Sequence, residues 1–117
     1  MPWWIAALNS FAALASIGFA IAALLRPGLL TDGDGGGGAA RFYPAMYATR
    51  AIPLGAAIAG AVWLPSMGAP LLILLAAAAL AQLGDLAIGV AYRTPGMVVG
   101  AAVGVICHSA GILALWR

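Results

Sequence analysis

Residues 71–92 form an apolar run with a single charge, Asp85, near its end. A helix needs about 20 predominantly apolar residues to cross the hydrocarbon core of a bilayer. This run is long enough, and so are residues 3–25, 44–64 and 97–116. A soluble chain could not hide so much apolar surface. Hydrophobic residues make up 65% of the 117 positions and charged residues 7%, against about half and a quarter in soluble domains. The expected fold is all-α, a single polytopic membrane domain of four transmembrane helices in an up-down bundle.

The punctuation between the runs fits this reading. Trp3 and Trp4 open the first span as interfacial anchors, since indole prefers the headgroup level. A cleaved leader would instead want basic residues ahead of a shorter apolar core. Arg26-Pro27-Gly28 ends the span, because proline cannot continue the backbone ladder. Residues 28–41 form a Gly-rich loop around Asp32-Gly33-Asp34 and the glycines at 35–38. This loop lacks the Lys-Ser/Thr ending of a phosphate loop and the following Glu of a calcium loop. The turns 65–70 and 93–96 are short, so the helices that they join are antiparallel neighbours. In the second span Pro53 removes a hydrogen bond to the Thr49 carbonyl and predicts a kink beside Arg50. Gly55, Ala56, Ala59 and Gly60 there, and Gly100, Gly104 and Gly111 in the last span, offer small surfaces for close helix approach.

Charge excludes several classes. The five basic residues, all arginine, are scattered and give no basic stripe for nucleic acid. One cysteine, Cys107, cannot form an internal disulfide, and one Cys with one His cannot complete a zinc site. No metal and no cofactor are expected. Arg26, Arg41 and Arg93 lie on one side of the bundle and Arg117 on the other, apart from the amino terminus. The excess of arginine on cytoplasmic loops then predicts both termini outside. The absence of a basic amphipathic start points to the plasma membrane.

Asp85 is the only acid outside the 28–41 loop. A charge at membrane depth costs roughly 2.5–3.5 kcal/mol on insertion scales and usually marks a site. Counting 1.5 Å per residue places Arg50 and Asp85 both about 10 Å from the arginine-rich side, which predicts an ion pair between the second and third helices. Gln82 shares the face of Asp85, and Tyr43 and Tyr47 share that of Arg50. His108 and Ser16 fall roughly 16 Å deep. The expected site is one polar pocket with Tyr43 and Tyr47 near its mouth, Arg50 and Asp85 in the middle and His108 at the floor. Asp85, His108 and Arg50 are the candidate catalytic residues. Tyr43, Tyr47, Gln82 and Ser16 are the candidate substrate-binding residues. Plainer readings stand beside these. The Arg50–Asp85 pair can be a register clamp completed by Gln82 and the Thr49 carbonyl, His108 a hydrogen-bond donor to Ser16, and the two tyrosines members of the interfacial belt.

Several of these residues recur in order. Arg26-Pro27 follows the first span, and Tyr47-Ala48-Thr49-Arg50 is followed by Gly55. Leu83-Gly84-Asp85 and His108 with Gly111 complete the set. In this arrangement, over nearly its whole length, the chain resembles the small membrane proteins catalogued as domain of unknown function 4267. The resemblance implies four membrane helices and no established reaction. Thr49 stands where that family has Gly before its arginine, and Ala51 where the next residue is often acidic. The departure at 51 leaves Asp85 as the carboxylate partner of Arg50.

Three functions fit. The first is a membrane enzyme on a lipophilic small molecule, of isomerase, cyclase or epoxide-opening type. Asp85 or His108 would be its acid or base, and Arg50 would hold an oxyanion. The second is a non-catalytic subunit or accessory protein that packs a membrane partner or a second copy of itself. The third is a small proton-coupled transporter working as a homodimer through Asp85. The small multidrug resistance proteins, which such a chain suggests, keep their essential Glu in the first span, and this first span has no acid.

Overall fold

A computed structural model describes residues 1–27 and 38–117. The described chain is all-α, with α1 (Trp3–Leu25), α2 (Gly38–Ala61), α3 (Gly68–Ala91) and α4 (Pro95–Trp116). Each helix has 22 to 24 residues, hence about 33–36 Å of axis at 1.5 Å per residue. The molecule is a cylinder of 48 × 22 × 19 Å. Of the four helices, α1, α3 and α4 are long and apolar enough to cross a membrane, and α2 falls short of that mark. The reason lies in its sequence, since α2 carries Arg41, Arg50, Pro44 and Pro53 and is the least apolar helix.

The helices alternate in direction. Ser10 of α1 reaches Ala59 near the end of α2 and Trp63 just beyond it, whereas Phe19 meets Tyr47 in its first half. Across α3 and α4, Gly89 lies against Met97 and Val98, and Leu75 against Gly111. The strongest pairings are α3 with α4 and α1 with α2. Contacts between α1 and α4 close the bundle, and α2 touches α3 over the smallest area.

Small residues let the helices approach. One apolar cluster contains Ala6, Ala13, Ile58, Val62, Leu71 and Leu75, and a second contains Ala20, Ala48 and Ala51. A Cβ at Gly55 would stand 2.8 Å from Ile17 Cγ1 and 3.0 Å from the Ala13 carbonyl oxygen. That position therefore fixes the α1–α2 spacing. The outside is apolar as well. Phe11, Leu14, Ile73, Leu80, Val99 and Ile106 are all exposed. Soluble monomers rarely leave apolar patches beyond a few hundred Å², so this exterior suits lipid rather than water.

Three helices differ in extent from the sequence expectation. The second helix begins at Gly38 rather than 44 and ends at Ala61 rather than 64. Ala39, Ala40 and Arg41 are good helix formers, and they carry the helix back into the segment read as loop. The third helix covers Gly68–Ala91 rather than 71–92, because Pro70 occupies its first turn, where no N–H is needed. The fourth starts at Pro95 rather than 97 for the same reason. Asp32 and Asp34 lie outside the described residues. The α3–α4 turn is closed by two hydrogen bonds, from Thr94 N–H to the Gly89 carbonyl (2.9 Å) and from Arg93 N–H to the Val90 carbonyl (3.3 Å). Arg93 takes the left-handed position of this cap with φ 54°, a place usually given to glycine.

Candidate functional site

The site is built from one charged pair and two short polar chains. Arg50 projects from the middle of α2, and its Nη2 donates to Oδ1 of Asp85 on α3 at 2.5 Å. The Asp85 side chain is 9% exposed and that of Arg50 42%, so the carboxylate is the enclosed partner. On α2, Tyr47 lies one turn before Arg50. Its ring centroid is 5.6 Å from the Arg50 guanidinium carbon and 5.8 Å from the Phe19 ring, which meets it edge-on. A guanidinium over an aromatic face is attracted by the ring quadrupole. Tyr47, braced by Phe19 of α1, thus holds the cation on one side, and Asp85 of α3 holds it on the other.

One turn before Asp85, Gln82 donates from Nε2 to the Ser16 hydroxyl at 3.2 Å. This bond joins α3 to α1 across the bundle. Gly104 makes room for it, because a Cβ there would stand 2.7 Å from Gln82 Cδ. His108, four residues further along α4, is 2% exposed, and its Nδ1 lies 2.9 Å from Oδ1 of the fully buried Asn9. Asn9 Nδ2 in turn donates to the Ile5 carbonyl at 2.9 Å. Gly111 permits this contact, since a Cβ there would stand 3.0 Å from Asn9 Nδ2.

Two cavities meet at Asp85. The inner one, about 30 Å³, has Arg50, Asp85, Gln82, Ser16, Tyr47 and His108 as its polar residues and Leu54, Ile58 and Ala78 among its apolar ones. The outer one is a groove of about 200 Å³ between α1 and α4. Phe11, Ala12, Ala15, Phe19, Met97 and Gly100 are among the residues of its wall, and Ser16, Tyr47, Gln82 and Asp85 form its polar end. These last four residues line both spaces. Arg50 and His108 line only the inner one.

The structure therefore brings together Arg50, Asp85, Tyr47, Gln82, Ser16 and His108. Tyr43 departs from the expectation. Its ring is exposed, faces Phe42 at 5.7 Å, and lines neither cavity. Pro44 takes the buried position at that level of α2 instead. His108 does not reach Ser16, because Asn9 satisfies it and Ser16 is taken by Gln82. Nor does Gln82 complete the Arg50–Asp85 pair. Asn9 is the residue that sequence reasoning passed over. Its depth could have revealed it, since it is the most polar side chain of the first span and lies about 9 Å in from the start of α1, near the level of His108, about 12 Å in from the end of α4. Among the described residues no three of His, Cys, Asp and Glu converge as a metal site. Comparison with protein-family models, curated proteins and solved structures gives no match.

Proposed function

We propose that this chain is a four-span integral membrane protein that binds a lipophilic small molecule and carries out acid–base chemistry on it at Asp85. The observation that carries the reading is the place of Asp85, an enclosed carboxylate shared by a small cavity that Arg50 and His108 also line and by the larger groove between α1 and α4. Asp85 is the group that takes a proton from the bound molecule and returns it, as in an isomerisation, a cyclisation or an epoxide opening. Arg50 stabilises negative charge that develops on the inner side, and Tyr47 keeps its guanidinium in place. His108, held by Asn9, fixes the floor of the inner cavity. In this reading α2 crosses the membrane with the other three helices, its arginine neutralised by Asp85. The resemblance to the domain of unknown function 4267 proteins belongs to the same reading. So do the plasma-membrane location and the topology with both termini outside.

The test is mass spectrometry of small molecules that co-purify with the wild type and with Asp85→Asn in mild detergent. A discrete lipophilic compound that accompanies the wild type and is missing from the variant is the expected result. Bulk lipid alone in both, at equal yield of folded protein, favours a second reading, that of an accessory subunit. That reading draws support from the pairing of the fully enclosed polar atoms. Among the described residues no fully enclosed side-chain nitrogen or oxygen lacks a partner, as a purely structural clamp requires. It predicts a stable complex with a membrane partner or a second copy, detectable by crosslinking.

A further inference from the structure

The groove between α1 and α4 narrows the class of molecule. It opens on the apolar exterior, where Phe11, Ala15, Gly100 and Val103 are exposed. An occupant therefore enters from the lipid phase. An engineered apolar cavity of about 150 Å³ takes a benzene molecule. The groove, about 200 Å³, holds a somewhat larger apolar unit, with the rest of a longer molecule left among the lipids.

Its polar end selects the head group. Asp85, Gln82, Ser16 and Tyr47 are the polar residues there, and no cation lines it. The nearest cation, Arg50, faces the inner cavity and is already spent on Oδ1 of Asp85. Among the described residues no other hydrogen bond reaches the Asp85 carboxylate, so Oδ2 is free to accept one. A carboxylate or phosphate head would meet Asp85 without a counter-charge. An ammonium head would be attracted by Asp85 and repelled by the arginine that already neutralises it. A neutral hydrogen-bond donor carries neither cost.

We infer that the groove binds a neutral lipophilic alcohol, its apolar body between α1 and α4 and its hydroxyl donating to Asp85. The inference rests on the ligand-binding reading above and names its substrate class.

A photoreactive diazirine derivative of hexadecanol tests it, with the full chain in phosphatidylcholine nanodiscs and labelled peptides identified by mass spectrometry. The matched derivatives of hexadecanoic acid and hexadecylamine serve as comparisons. Labelling by the alcohol should concentrate on residues 11–19 and 96–103 and exceed that by the acid and the amine. Gly100→Leu and Ala15→Leu place bulk in the groove, and the Gly100 Cβ meets nothing within 4 Å, so that variant keeps its fold. Each should lose about tenfold in labelling, equivalent to roughly 1.4 kcal/mol. Gly84→Leu, also in open space but away from the groove, should label as the wild type does. Equal labelling in Gly100→Leu, or stronger labelling by the acid or the amine, overturns the inference. The two readings fail separately. Alcohol labelling lost in Gly100→Leu upholds the groove even if Asp85→Asn co-purifies the same molecules as the wild type. A co-purifying ligand without a hydroxyl, lost in Asp85→Asn, upholds the site and overturns the alcohol.

Discussion

Gln82 lies across Gly104, so close that a Cβ on the glycine would stand 2.7 Å from the Gln82 side-chain carbon. The amide that crosses there is the one that reaches Ser16. Gly104→Ala should displace Gln82 and break that α1–α3 bond. Overpacking of a tight contact costs about 1–3 kcal/mol. The expected result is a lowered thermal midpoint in detergent together with loss of ligand from the groove. Gly100→Ala, in open space on the same helix, should leave the midpoint unchanged.

The Arg50–Asp85 pair should respond asymmetrically. Arg50→Met leaves an enclosed carboxylate without its cation. Removing one partner of a fully buried pair costs about 3–5 kcal/mol, and the partial exposure of Arg50 brings the expected loss toward the lower bound. Asp85→Asn should cost less, because the arginine can turn toward the headgroup region. The double variant Arg50→Met/Asp85→Leu should recover most of the stability, since an apolar pair of similar volume replaces an ion pair with little loss. Denaturant titration of the three variants checks the order.

Asn9 and His108 should behave as one unit. Asn9→Ala strands a buried ring nitrogen, and His108→Ala strands a buried amide; each costs about 1–3 kcal/mol. A double-mutant cycle should return a coupling of at least about 0.5 kcal/mol, as expected for residues in contact. Additive losses would mean that the 2.9 Å contact contributes nothing to the fold.

Arg93 offers the opposite sign. A non-glycine residue in the left-handed region carries a strain of roughly 1–2 kcal/mol, and Arg93 sits there with φ 54°. Arg93→Gly should raise the thermal midpoint, and Arg93→Val should lower it.

Depth within the bundle was legible for the charged pair, and rotation about the helix axes was not. Rise per residue is constant, so counting from the turns placed Arg50 beside Asp85. Which side chain faces which neighbour depends on azimuth. A helix that is apolar on every side, as α1, α3 and α4 are, has no polar stripe from which to read it. That is why Gln82 was assigned to the Arg50–Asp85 pair, whereas it turns to Ser16. The partner of His108 was instead a miss of level, since Asn9 and Ser16 share one face of α1 about 10 Å apart. The start of α2 was hidden for a different reason. The glycines before it read as loop, and nothing in composition marks Gly38 as the point where the ladder begins.

The meeting of Arg50 with Asp85 also sets an order of assembly. Chains are made from the amino end, and these two residues are 35 positions apart. Arg50 emerges first, on the least apolar of the described helices, and its counter-charge follows on α3. On the four-span reading, α2 is therefore a late entrant. Entry as a hairpin with α3, the charge already cancelled, is then the route of lower cost.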